Sequence, residues 1–328
     1  MDNLLDLIFK ATSVEPRYDE DLCLAAGKSV ACTSCRDACP HDAITIRHGS
    51  AKAVEIDSVD CSGCGLCVQA CPSQALEGRV SIERGAASLR CSQVSGSAAS
   101  VHCLGRLQPS DLLRLAGSED SVRLARGDCG SCPVGTAAVA EASLAVRDQA
   151  VELARLHGRS LDIEVVERDR LEQTRNADAV SRRELLRGGW RSLRVRTGDM
   201  LAPLDPGDDV ASLPAEMQRR YRVIAAAAPQ QEDPVPWSLP RVSDECIMCP
   251  ACVKACPTGA LERVFEADGD GVLKLQPDRC VGCEACMSVC PVGAVSMEES
   301  VSWSELSGGQ QEAYRRDAGR ERPGSVPR

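Results

Sequence analysis

Most of the twenty cysteines in this 328-residue chain fall into four copies of one spaced pattern. Three copies read Cys-x2-Cys-x2-Cys-x3-Cys-Pro, and a stretched fourth copy has eight residues between its first two cysteines. Three thiolates on so short a loop suit a cubane [4Fe–4S] cluster, and the cysteine before proline points towards a neighbouring cluster. The pattern therefore predicts four [4Fe–4S] clusters and electron transfer. The cysteines concerned are Cys23, Cys32, Cys35, Cys39, Cys61, Cys64, Cys67, Cys71, Cys246, Cys249, Cys252, Cys256, Cys280, Cys283, Cys286 and Cys290.

The four copies are similar beyond their cysteines. Each Cys-Pro is followed, after two further residues, by alanine and an apolar residue, as in Ala43-Ile44 and Ala260-Leu261. An aspartate precedes each first cysteine by one or two positions, and Asp21 does so in the stretched copy. This match favours Cys23 as a ligand, although a small buried apolar residue is the alternative.

Composition limits where such a chain can work. Dense cysteine indicates either a disulfide scaffold or metal sites, and disulfides need an oxidising compartment. Residues 1–10 lack a basic leader, their apolar run is broken by Asp6, and no later stretch is apolar enough to span a bilayer. Metal sites in a reducing, cytoplasmic setting are therefore expected, without a membrane span.

Charge and aromatic content bear on partners and stability. The formal net charge of −10 argues against nucleic acid and suits docking to a basic redox partner, or it merely keeps the chain in solution. Aromatic residues make up only 2% of the chain, so few bulky side chains are available for a core. Bound clusters would then act as staples, and the metal-free chain is expected to fold poorly.

Both ends of the chain share a plan of motif, hairpin and motif. Alternating segments at 43–49 and 53–57 surround a glycine-containing turn, and segments at 261–265 and 272–275 do the same. Residues 1–84 and 242–300 therefore resemble bacterial-type dicluster ferredoxin domains. The resemblance implies the ferredoxin-like fold and ligands that cross between motifs. It implies these sets: Cys23, Cys32, Cys35 and Cys71; Cys61, Cys64, Cys67 and Cys39; Cys246, Cys249, Cys252 and Cys290; Cys280, Cys283, Cys286 and Cys256.

Residues 85–170 predict a different, small α/β domain. Short apolar strands at 88–91, 100–103, 121–125 and 161–166 alternate with helices at 109–115, capped by Ser110, and at 136–157. Alternating strands and helices imply a parallel sheet, whose carboxyl edge commonly carries ligands. The fold class is therefore α+β and multidomain, with two ferredoxin-like domains flanking this sheet. The remaining cysteines would lie along the edge: Cys91, Cys103, Cys129 and Cys132.

These four middle thiols suit a [2Fe–2S] cluster or a zinc ion. The third possibility is a set of thiols that is merely buried or redox-active, with Cys129-x2-Cys132 as a reactive dithiol. The segment resembles the delta subunit of methyl-viologen-reducing hydrogenases in its Cys103-Leu104-Gly105-Arg106 turn and its later Gly-x-Cys-rich loop. That resemblance implies a [2Fe–2S] cluster and electron delivery to a heterodisulfide reductase. His102, His41 and His48 are interpreted as ordinary loop or strand residues.

The remaining segments carry no site. Residues 171–241 predict a helical and linker segment, with a helix at 214–228. The last domain is therefore expected to be tethered rather than rigidly packed. Residues 301–328 predict a disordered tail. No phosphate-binding glycine loop occurs. The sequence therefore predicts an electron-transfer subunit between a donor, such as a flavoprotein or ferredoxin, and a catalytic oxidoreductase partner. Two alternatives remain: a reductase acting at Cys129 and Cys132, and an iron–sulfur redox sensor.

Overall fold

The computed structural model describes residues 14–27, 30–78, 80–169 and 213–317, and these residues form a mixed α and β structure. Most of the segment 171–241 lies outside the described residues. Within them, no helix combines the length and the apolar character that crossing a bilayer requires.

The first cysteine-rich domain is built on two small antiparallel pairs. Strand β2 pairs with β3 as the predicted hairpin, and β1 pairs with β4. Apolar side chains alternate along the strands, so Ile44 and Val54 are buried while Thr45 and Glu55 are exposed. In chain order the elements are β1 (Arg17–Tyr18), α1 (Ser34–Asp37), β2 (Ile44–Ile46), β3 (Val54–Ile56), α2 (Leu66–Ala70) and β4 (Leu76–Glu77).

The middle domain is a four-stranded parallel sheet, as its strand and helix alternation predicted. The strand order is β6-β5-β7-β8, and all three pairings are parallel. The long helix α4 packs on this domain through Val146, Ala150 and Ala154, which share one face and are buried in the core of the domain. The elements are β5 (Ser88–Cys91), β6 (Ala99–Val101), a 3-10 turn (Leu104–Arg106), α3 (Pro109–Ala116), β7 (Ser121–Arg126), α4 (Ala137–Arg155) and β8 (Asp162–Glu167).

The predicted cap of α3 is wrong. Gln108 is the N-cap and forms a capping box with Asp111, while Pro109 begins the helix. Ser110 is the second residue of the helix and is buried. Its hydroxyl donates a hydrogen bond to Glu216 instead of capping its own helix.

Helix α5 (Ala215–Ala226) confirms the helix predicted at 214–228 and joins the middle domain to the last one. On one side the buried Glu216 accepts hydrogen bonds from the backbone amide and hydroxyl of Ser110. On the other side Tyr221 packs edge-on against Trp237, with ring centroids 6.0 Å apart, and also contacts Trp303. The expectation of a merely tethered last domain is therefore wrong for this helix, because a buried carboxylate and an aromatic cluster fix both of its faces.

The last cysteine-rich domain repeats the plan of the first. Strands β11 and β12 form the predicted hairpin, and β10 pairs antiparallel with β13. The elements are β9 (Pro234–Val235), β10 (Leu239–Val242), α6 (Ala251–Ala255), β11 (Leu261–Phe265), β12 (Gly271–Leu275), a 3-10 turn (Pro277–Arg279), α7 (Ala285–Ser288), β13 (Val295–Glu298), β14 (Val301–Ser302), α8 (Trp303–Ser307) and β15 (Gln311–Arg316).

The predicted disordered tail is wrong for residues 301–316. Strand β15 pairs antiparallel with β12, and its Tyr314 is buried. Strand β14 pairs with β9, inside a segment that predicted a linker. The prediction of disorder rested on the polar composition of this region. Pairing with the edge of a hairpin and burial of one aromatic side chain are nevertheless enough to order a short strand.

Candidate metal centres

The cysteines of the first domain form two groups of four. Site I comprises Cys23, Cys32, Cys35 and Cys71, and site II comprises Cys39, Cys61, Cys64 and Cys67. Burial first, and then the charges of Cys71, Cys32 and Cys23, raise the pKa of Cys35 to about 12. The four cysteines of site II line one small apolar cavity. Each group therefore takes three thiols from one motif and the last thiol of the other.

The last domain repeats this exchange between motifs. Site IV comprises Cys246, Cys249, Cys252 and Cys290, and site V comprises Cys256, Cys280, Cys283 and Cys286. Burial raises the pKa of Cys246, and the nearby charges of Cys249 and Cys290 add to the rise. The four cysteines of site V line a single cavity.

In the last domain, a backbone amide donates a hydrogen bond to the last cysteine of each motif. The amide of Ala260 donates a hydrogen bond to Cys256 Sγ at 3.2 Å, and Ala294 donates to Cys290 Sγ at the same distance. A bulkier side chain would have no room there, since both alanines are almost fully buried. Such donors stabilise a thiolate and tune the potential of a cluster bound to it.

The middle cysteines meet at the carboxyl edge of the parallel sheet. Site III comprises Cys91, Cys103, Cys129 and Cys132, and all four line one apolar cavity. Cys91 ends β5, Cys103 follows β6 by two residues, and Cys129 follows β7 by three. The sequence thus predicted this convergence correctly, because parallel strands bring their carboxyl ends to one edge.

Site III contains a cation that the sequence did not single out. Arg126, the last residue of β7, donates from Nη1 to the carbonyl of Gly127 at 3.1 Å and lies 3.8 Å from Cys129 Sγ. Burial raises the pKa of Cys129, while the charge and hydrogen bond of Arg126 oppose that rise. Glu167 pairs with the same guanidinium at 3.1 Å and fixes its position.

Two histidines form hydrogen bonds that hold sites II and III together, although the sequence indicates only ordinary residues at both positions. His102, next to Cys103, donates from Nε2 to the carbonyl of Ser62 at 2.7 Å. His41 donates to the carbonyl of Val134 at 3.2 Å, and Ser62 Oγ donates to that same carbonyl. Their role could not be read from the sequence, because each bond joins segments of two different domains.

The donor sets fit soft metal centres. None of the twenty cysteines, all of which the structure describes, forms a disulfide, and they lie in five groups of four. Thiolate sulfur selects iron–sulfur clusters, zinc and copper(I) over hard cations. Burial raises the pKa of Cys67, Cys103 and Cys280 to about 12, so without a positive centre these three thiols would stay protonated. A bound metal supplies the charge that makes four buried thiolates tolerable.

Comparison with known proteins agrees with this geometry. The family model described as 4Fe-4S dicluster domain matches residues 28–75 and 245–294. A dihydromethanopterin reductase (acceptor) from Methanosarcina mazei is 41% identical over 49 residues, which are 14% of this chain and 20% of that protein. The chain thus spans about a fifth of the length of this curated relative. Two 4Fe-4S dicluster domains, each with two groups of four thiols, therefore lie on either side of the middle sheet.

Proposed function

We propose that this protein is an iron–sulfur electron-transfer subunit with five centres, four [4Fe–4S] clusters in sites I, II, IV and V and one [2Fe–2S] cluster in site III. It relays single electrons between a donor, a flavoprotein or ferredoxin, and a catalytic oxidoreductase partner in a reducing, cytoplasmic compartment. The observation that carries the proposal is the grouping of all twenty thiols into five sets of four. The two dicluster domains support the electron-transfer role.

The residues around each site bind the cluster, orient its ligands and exclude water. The thiols ligate the iron, and a cluster held in this way accepts and gives up one electron. Short helices α1, α2, α6 and α7 follow the cysteine loops and contribute buried residues to the sites. Amide donors such as that of Ala260 hold the sulfur lone pairs and stabilise negative charge.

The position of site III next to site II favours a [2Fe–2S] cluster over a zinc ion. Cys103 lies close enough to Cys64 of site II for the charge on either thiol to affect the other. A redox-active centre at this position would continue the path from site II, whereas a zinc ion would end it. The cation of Arg126 beside Cys129 also suits a centre that gains negative charge when it is reduced.

The same site is a poor fit for a thiol–disulfide reductase. A nucleophilic cysteine needs a lowered pKa, but burial raises the pKa of Cys129. Alkylation of the native, metal-loaded protein distinguishes the two functions. Modification of Cys129 or Cys132 by iodoacetamide would support the reductase, and protection of both supports ligation.

Metal analysis of anaerobically purified protein tests the proposal directly. About 18 iron atoms per chain, with matching acid-labile sulfide, would be four cubanes plus a [2Fe–2S] cluster. About 16 iron atoms with one zinc ion would make site III structural and shorten the relay to four centres. An iron content well below 16 in intact, unoxidised protein would overturn the proposed function.

A further inference from the structure

Sites II and III are held together by a backbone contact. A Cβ added at Gly105, two residues after Cys103, would lie 2.6 Å from the carbonyl oxygen of Cys64. Gln69 of α2 donates hydrogen bonds to the carbonyls of Gly105 at 3.0 Å and Leu107 at 2.8 Å. The loop that carries Cys64 is therefore pressed against the turn that follows Cys103.

A second contact joins the two dicluster domains. Leu24 of the first domain is buried in one apolar cluster with Ala255 and Ala285 of the last domain. Cys32 of site I and Cys283 of site V pack against this same cluster. Cys71, also in site I, lies within electrostatic range of Cys283. Site I thus faces site V across the contact between the domains.

Within each dicluster domain the two sites are neighbours through their buried third cysteines. Cys67 of site II interacts electrostatically with Cys35 of site I. Cys286 of site V interacts in the same way with Cys252 of site IV. These two pairs are equivalent, because each joins the helices that follow the cysteine loops, α1 with α2 and α6 with α7.

We propose that the five sites form one unbranched row in the order III, II, I, V, IV, so that site III and site IV are its two ends. This inference rests on the proposed electron-transfer function and adds the order of the sites along the path. Each step moves one electron between neighbouring sites. A donor protein supplies that electron at one end, and an acceptor protein removes it at the other.

The surface at the site IV end fits such a partner. Cys246 and Cys249 are only half-buried, and Phe265, 60% exposed, lies beside Met248 in the loop between them. Arg263 donates to the carbonyl of Met248 at 2.7 Å and its guanidinium lies over the Phe265 ring at 5.0 Å. An exposed aromatic ring next to a half-buried site is the kind of surface on which a redox protein docks.

The contact between the domains provides the test. Ala285→Leu enlarges a side chain that is 1% exposed and packed against Leu24, so it should push sites I and V apart. The motif itself tolerates leucine here, since Leu66 occupies the equivalent position after Cys64. Ala251→Leu is the matched control, because Ala251 holds the same motif position in site IV and is partly exposed.

The measurement is electron paramagnetic resonance of the full chain reduced with dithionite, together with its iron content. The wild type and Ala251→Leu should give broadened spectra from magnetic coupling along the whole row. Ala285→Leu should keep its iron and lose the part of the coupling that joins sites I and V.

Unchanged coupling in an iron-replete Ala285→Leu variant would overturn the row. So would a wild-type spectrum equal to the sum of two uncoupled domains. If Ala285→Leu loses iron, Leu24→Ala loosens the same contact from the other side and must weaken the coupling. A wild type without its iron would contradict the proposed function instead, so the two failures are distinguishable.

Discussion

Gly65 and Gly105 approach each other so closely that a Cβ on Gly65 would lie 2.5 Å from the carbonyl oxygen of Gly105. Gly65 also has a positive φ of 89°, a conformation that strains any L side chain. Glu284 occupies the equivalent motif position in the last domain with a φ of 60°. The close approach between the first domain and the middle domain is therefore what excludes a side chain at Gly65.

Gly65→Ala should separate site II from site III. The added methyl group meets backbone atoms of Gly105 and Arg106, which have no flexible end to move aside. We expect the magnetic coupling between sites II and III to weaken while the iron content is retained. Gly49→Ala is the control, since Gly49 has a φ of 79° but open space around the added Cβ. Equal spectra for the two variants would show that this contact does not set the spacing.

Cys71→Ala and Cys39→Ala test the exchange of ligands between motifs. Cys71 belongs to the second motif but lies with site I, and Cys39 belongs to the first motif but lies in site II. Each variant should lose up to about four iron atoms per chain. Cys71→Ala should remove the same spectral component as Cys35→Ala, and Cys39→Ala the same component as Cys61→Ala. The opposite pairing would mean that each motif closes its own site.

Arg126→Gln should lower the reduction potential of site III. The guanidinium next to Cys129 favours the more negative, reduced state, and glutamine removes that charge. The fall should be on the order of tens of millivolts, where about 59 mV is a tenfold change for one electron. Arg123→Gln is the matched control, because Arg123 lies on the same strand, is exposed and pairs with Glu164. Potentiometric titration of both variants checks the difference.

Glu216→Gln should make the protein less sensitive to rising pH. Burial raises the pKa of Glu216 above its ordinary 4.5, although hydrogen bonds from Ser110 and the charge of Arg219 oppose the rise. The folded state therefore binds this proton more tightly than the unfolded chain does. The stability that results is present below about pH 4.5 and is lost as the pH rises through the folded-state pKa.

Glutamine cannot ionise, so the variant avoids this loss. As the pH rises, the free energy of unfolding of the variant should increase relative to that of the wild type. The increase should be up to about 1.4 kcal/mol for each unit by which folding raises the pKa of Glu216. Urea unfolding at about pH 4.5 and about pH 8 measures the shift, and comparison with the wild type cancels the contribution of the clusters. Glu232→Gln, at an exposed position, should show no such trend.

Local patterns in the sequence predicted the elements near the sites well. The hairpins β2-β3 and β11-β12 follow from alternation around glycine turns, and the parallel sheet follows from alternating strands and helices. The convergence of Cys91, Cys103 and Cys129 followed from the sheet, since parallel strands share a carboxyl edge.

The contacts between domains could not be predicted in the same way. Leu24 and Ala285 are separated by most of the chain, and neither belongs to a periodic apolar pattern. From the sequence, Gly65 is an ordinary loop glycine, because its contact with Gly105 is visible only in the structure. The strand β15 escaped prediction because its sequence is polar and its order comes from pairing with β12. Such features depend on tertiary packing rather than on local preference.

The exchange of thiols between motifs also has a consequence for biosynthesis. Site I needs Cys71 as well as Cys23, so neither motif of the first domain can be filled before both have left the ribosome. The last domain likewise waits for Cys290, because site IV takes its fourth thiol from there. Site III is completed between these two, when Cys132 has been made, so iron delivery during translation would occur in three separate episodes. The electron path would become continuous only after the last of them.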